Sequence, residues 1–354
     1  MTTPGNREQL KKELLVFLII TFAATYLLEM IGIALYGPEI LHSTLMLIPM
    51  YIPAVSAILC MVYFRSAALT WETKISLSVF LLASIVSLLE GLYRPILGTL
   101  GATPLPLLTS VVSIGAFLTV FVLNLKGPWR EKLVAARLSF GKNYRYYLYL
   151  SLSFSALYIL GLLLSHVLGL SLPTGEFNLN VFFTFVGIYL ATFFISWPKY
   201  FGEEYGWRFY LQDRLFALVG GYKGVLLLGV IWGLWHLPLN LMGMSFPNDP
   251  VPGNIIYVVY TVIVGIIFSY AVLKTGSIWI AVLLHAITDS IVVTGYLYIA
   301  DGNLLVAFLS IVVLLGILSL ILLRSRIWKD DGIDIARASV GMPPDQSISR
   351  LSGE

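Results

Sequence analysis

Ten hydrophobic runs of about 20 residues dominate the chain, and each is long enough to cross the roughly 30 Å hydrocarbon core of a bilayer as an α-helix. They fall at approximately 13–36, 43–64, 75–96, 106–125, 145–170, 179–198, 223–243, 253–273, 277–299 and 303–323. The expected fold is all-α: a polytopic membrane helix bundle of about ten transmembrane helices. Composition agrees. Only 12% of the 354 residues are charged and 58% are hydrophobic, against about 25% charged in a soluble domain. The net charge of +3 is spread along the chain rather than gathered in a patch, so no nucleic-acid partner is expected. The single cysteine, Cys60, forms no disulfide within the chain.

Positive charge sets the expected orientation. With the N-terminus in the cytoplasm and the runs alternating, every Lys and Arg except Arg94 falls on the inner side. Both termini are therefore expected to be cytoplasmic. The first run follows Arg7, Lys11 and Lys12, but it is too long for a signal peptide and is read as a span. Segment 202–218 carries Glu203, Glu204, Arg208, Asp213 and Arg214 among apolar residues and reads as a short amphipathic helix at or dipping into the membrane surface. The division expected is a cytoplasmic N-terminus (1–12), a four-span extension (13–125), a basic cytoplasmic loop (126–144), a core (145–324) and a disordered cytoplasmic tail (325–354).

An ionisable group at membrane depth costs several kcal/mol and needs a reason. Glu29, Glu90 and His166 lie toward span ends, and Glu90 can pair with Arg94 one turn on. Five others crowd between 203 and 289. Glu204 and Arg208, four residues apart, can pair and leave Glu203 free. If Gly202 lies just before this helix, its N-terminus favours both carboxylates. Two adjacent acids with one arginine suit a division of labour, one held ionised and the other serving as base. His236 follows Trp232 by one turn. Gly229 and Gly233 permit close helix approach there, and Pro238 suits a kink lining a cavity. His285 and Asp289 share a face, so the carboxylate can orient the imidazole.

No HExxH, GxSxG or GxGD motif is present. The remaining set fits water activation by a general base with imidazoles at an oxyanion. It would also fit a metal site, since Glu, His, His and Asp all ligate zinc. The absence of a clear internal repeat argues against a proton-coupled transporter.

The stretches FGEEYGWRFYLQDRL (201–215), IWGLWHLP (231–238) and LLHAITD (283–289) together resemble the CPBP family. That family contains CAAX-processing prenyl endopeptidases and bacterial proteins tied to bacteriocin self-immunity. Its pattern of EExxxR, FxxxH and HxxxN or HxxxD maps here to Glu203, Glu204 and Arg208, to His236, and to His285 and Asp289, with Trp232 where phenylalanine is usual. The resemblance covers about 199–290. It implies an eight-helix core with a cavity open to cytoplasm and lipid, Glu203 as the base on water, His236 in support, and His285 with Asp289 at the oxyanion. It implies no cofactor; zinc held by Glu203, His236, His285 and Asp289 is the alternative. Trp232 and Trp235 are the expected substrate-pocket residues. The activity implied is intramembrane endopeptidase cleavage of membrane-associated proteins or peptides, prenylated CAAX types among them, within a lipid bilayer. The alternative is a non-catalytic membrane immunity or regulatory protein on the same fold. A prokaryotic plasma membrane is the expected location, ahead of the endoplasmic reticulum.

Overall fold

The computed structural model describes residues 4–37, 44–65, 69–97, 104–169, 178–296 and 304–329. Among these residues there are helices and no strands. The first half holds α1 (Pro4–Tyr36), a 3-10 turn (Thr44–Tyr51) running into α2 (Ile52–Phe64), α3 (Trp71–Leu97), α4 (Leu105–Leu125) and the short α5 (Gly127–Leu133). The second half begins with α6 (Arg145–Val167), α7 (Leu179–Ala191) and α8 (Phe193–Glu204). A π-helical segment (Tyr205–Leu211) joins α8 to α9 (Gln212–Val219). Then come α10 (Gly221–Trp235), α11 (Leu237–Leu241), α12 (Pro250–Thr275), α13 (Trp279–Tyr296) and α14 (Leu304–Leu322).

The chain is a multi-pass membrane protein. Seven helices are long and apolar enough to cross a bilayer, or eight if the bent pair Leu179–Ala191 and Phe193–Val219 is one span. Large side chains such as Leu107, Leu152 and Leu320 stand exposed on the outer faces, where lipid rather than water suits them. The ten expected runs all appear as helix, but three do not appear as single long helices. The run at 179–198 bends by 70°. Those at 223–243 and 277–299 are represented by the shorter α10 and α13.

Segment 202–218 is not a short separate helix with an exposed polar face. Phe193–Val219 is one continuous helical rod, and every side chain from Tyr200 to Phe216 is buried. Its charges are matched internally, which lets them leave water. Arg214 meets Glu13 of α1 at 2.6 Å, and Asp213 meets Arg137 at 2.5 Å. Three of the arginines in the charge count, Arg137, Arg208 and Arg214, are therefore held by buried carboxylates rather than by a membrane face.

The first four spans pack directly on this rod. A Cβ on Gly202 would lie 2.3 Å from the carbonyl oxygen of Met50, and one on Gly206 would lie 2.3 Å from the Pro53 side chain. Gly229 and Gly233 likewise admit the α12 backbone at Val262 and Val258, as their spacing predicts. The loop over 126–144 folds back beneath the bundle. Lys142 donates to the Thr275 carbonyl at 2.9 Å and Ile278 to that of Arg137 at 2.9 Å. Gly141, at φ +76, lies against Thr275 where no Cβ would fit.

The tail expected to be disordered begins with order. Arg326–Trp328 forms a 3-10 turn, and Trp328 is fully buried against Gly221 and Phe216. Residues 330–354 lie outside the described residues, as does the Arg94 side chain of the expected Glu90–Arg94 pair.

Candidate functional site

The site forms where the rod crosses α10 and α13, and every residue of the three motifs contributes. Glu203 and Glu204 close α8, Arg208 sits within the π segment, His236 follows α10, and His285 and Asp289 lie on α13. The glutamates do not open a helix, because Gly202 is interior to α8; the helix N-terminus expected to favour them is absent. Glu203 is bonded to Trp232 and Glu204 to His285, so acids and imidazoles share one level. That level is fixed against α1, where Arg214 meets Glu13, Trp207 and Tyr210 pack on Phe17, and Trp235 reaches Thr25. From Glu13 to Thr25 is about 18 Å of helix rise.

Glu204 is doubly engaged. Arg208 Nη1 lies 3.1 Å from its Oε2, and His285 Nδ1 lies 2.7 Å from its Oε1. Since a carboxylate accepts, His285 donates from Nδ1 and turns Nε2 away from Glu204. The guanidinium of Arg208 is fully buried, lying 3.9 Å over the Trp232 ring and 5.2 Å over Phe268. Glu204 thus orients His285, the role expected of Asp289. Asp289 Oδ1 stands 3.9 Å from His285 Nε2, beyond hydrogen-bonding distance, while its Oδ2 lies 3.6 Å from Lys199 Nζ.

Glu203 accepts the indole N–H of Trp232 at 2.8 Å. A phenylalanine could not make this bond, so the departure from the family pattern supplies a donor. His236 occupies the break between α10 and α11. Pro238 has no N–H for the carbonyl of Leu234, and Tyr26 of α1 donates to that oxygen instead, at 2.6 Å. The ring of His236 turns back and donates from Nδ1 to the Trp232 carbonyl at 2.9 Å, leaving Nε2 as its acceptor when neutral. Tyr257 and Trp235 flank this imidazole at 5.0 and 4.7 Å between ring centres.

Both expected pocket tryptophans are buried, Trp232 bordering the acids and Trp235 directing its N–H to Thr25 at 2.9 Å. The half-buried margin of the cluster is made by Lys199, His236 and Asp289. Sequence reading placed Lys199 in the inner charge count; its position one turn before Glu203 was the available signal. Among the described residues no three His, Cys, Asp or Glu side chains converge as a metal-holding group.

A membrane helix bundle with paired glutamates, an arginine and two histidines on crossing helices is the arrangement that the CPBP resemblance implies. Residues 178–291, which contain all three motifs, match the family described as Type II CAAX prenyl endopeptidase Rce1-like. CAAX prenyl protease 2 of Methanococcus maripaludis is similar over 135 residues at 29% identity. The aligned part is 37% of this chain and 49% of the archaeal protein, so the chain spans about half the length of the curated relative it matches.

Proposed function

We propose that the protein is an intramembrane endopeptidase in which Glu203 activates water. The observation that carries this reading is the unequal treatment of two adjacent buried acids. Glu204 is tied to Arg208 and His285, whereas Glu203 accepts one neutral donor, Trp232, among the described residues. Glu203 takes a proton from water, and the oxygen attacks the scissile carbonyl. The oxyanion of the tetrahedral adduct is stabilised from the histidine side, where Nε2 of His285 faces away from its orienting carboxylate. His236 assists from the break before α11. Glu203 then delivers the proton to the departing amine, the C–N bond breaks, and acid and amine are released.

The chemistry uses no metal ion in this proposal. Membrane-associated peptides are the substrates proposed, and the similarity to an archaeal CAAX prenyl protease extends this to prenylated CAAX ends. Glu203→Gln keeps size and hydrogen-bonding capacity but cannot accept the water proton, so turnover should fall by about 10² to 10⁴ with folding intact. Purified variant and wild type, compared by mass spectrometry of cleaved peptides, provide the check. Equal turnover would remove Glu203 as base. A cellular phenotype that survives the substitution would favour a non-catalytic partner.

A further inference from the structure

Lys199 has no place in the chemistry above, yet it stands at the edge of the site. It lies on α8 about one turn before Glu203, i to i+4, and so shares its face. Its ammonium is 3.6 Å from Asp289 Oδ2 and 4.5 Å over the Tyr200 ring, whose centre is 5.3 Å from His285. The other cations of this rod are clasped. Arg208 and Arg214 meet their acids at 3.1 and 2.6 Å with side chains at most 5% exposed. Lys199 and Asp289 are looser and more open, at 17% and 32% exposure. A lysine is a compact charge on a flexible stem, able to change partners without leaving the site. A loosely paired cation within an apolar bundle needs a reason.

We propose that Lys199 receives the free α-carboxylate of a peptide substrate, exchanging Asp289 for it as counter-ion. This rests on the endopeptidase reading and names the end of the peptide that the site selects. Distances agree. Lys199 lies about 6 Å of helix rise from Glu203, and three extended residues span at most about 10 Å. A scissile bond at Glu203 therefore leaves room for a short C-terminal remnant to reach the ammonium. Lys199 is a specificity-determining residue on this account, and its charge is used in binding rather than bond breaking.

The test reads binding in Glu203→Gln protein, held in phosphatidylcholine nanodiscs, so that it does not depend on turnover. The probe is a fluorescent peptide ending in prenyl-cysteine and a short aliphatic segment, made as the C-terminal acid, as the amide, and as an amide with terminal aspartate. The acid should bind about tenfold more tightly than either amide, in line with a charge-assisted hydrogen bond. Lys199→Gln should abolish that preference, and Lys199→Arg should retain most of it. Phosphatidylglycerol in the disc should leave it unchanged. Equal binding of acid and amide with Lys199 intact overturns the proposal without any substitution, as does failure of both to bind. A preference that survives Lys199→Gln, is matched by the aspartate amide, or is erased by phosphatidylglycerol overturns it too. Cleavage of the acid peptide by unaltered protein is measured separately. Its absence would count against the protease reading and leave the binding result to stand or fall alone.

Discussion

The indole of Trp232 serves two charged neighbours at once. Its N–H is donated to Glu203 at 2.8 Å and its ring lies 3.9 Å from the Arg208 guanidinium carbon. Trp232→Phe separates these roles, because phenyl keeps an aromatic face for the cation and loses the donor. A hydrogen bond to a charged group contributes about 1.5–3 kcal/mol, so activity should fall roughly ten- to a hundredfold. Thermal unfolding in detergent should also shift downward, because the buried Glu203 acceptor loses its donor and the smaller ring leaves space. A variant with full activity would show that the donor does not set the behaviour of Glu203. The residue types of the site were legible in the sequence: Glu203, Glu204, Arg208, His236, His285 and Asp289 all meet at one level. The partners were less so. Spacing within one helix favoured Asp289 for His285, whereas Glu204 reaches it from another helix, 81 positions away in sequence. A motif records what shares a face, and it carries no information on which helix crosses there.

At the scale of elements, the rod Phe193–Val219 explains the largest difference between expectation and structure. Its charges read as a surface pattern because their partners lie far off in sequence, Glu13 for Arg214 and Arg137 for Asp213. The π segment Tyr205–Leu211 was also invisible, since no residue type encodes it; such segments recur at functional positions. Its placement depends on Gly206, where an added Cβ would lie 2.6 Å from the Pro53 carbonyl carbon as well as against its side chain. Backbone cannot yield as a side-chain tip can. Gly206→Ala should therefore cost about 1–3 kcal/mol and lower turnover, because Arg208 lies two residues on. Gly187→Ala is the control, with nothing within 4 Å of the new Cβ. Melting temperature and peptide turnover of both variants decide the matter, and equal behaviour would show that the α2 contact does not position the site.

At the scale of the molecule, the question is whether the four-span N-terminal part is an accessory to the motif-bearing half. Hydropathy reported the helices of both halves well, but it is blind to what passes between them. The contacts described run through the site's own support. Glu13 closes the charge of Arg214, Thr25 takes the indole of Trp235, and Tyr26 caps the carbonyl released by Pro238. Met50 and Pro53 fit against Gly202 and Gly206, and Arg137 neutralises Asp213. A chain beginning at Arg145 would remove the Glu13 partner of Arg214 and the Arg137 partner of Asp213, and breaking one side of a buried pair costs about 3–5 kcal/mol. Two such losses take much of the 5–15 kcal/mol that holds a typical domain folded. The truncated chain should aggregate on purification and show no peptide cleavage. Because these contacts are all non-covalent, co-expression of residues 1–144 as a separate chain should recover part of both folding and activity. Size-exclusion profiles and turnover of the truncated chain, alone and co-expressed, give the answer. A monodisperse, active 145–354 fragment would show that the motif-bearing half carries its own fold and that the first spans serve some other purpose.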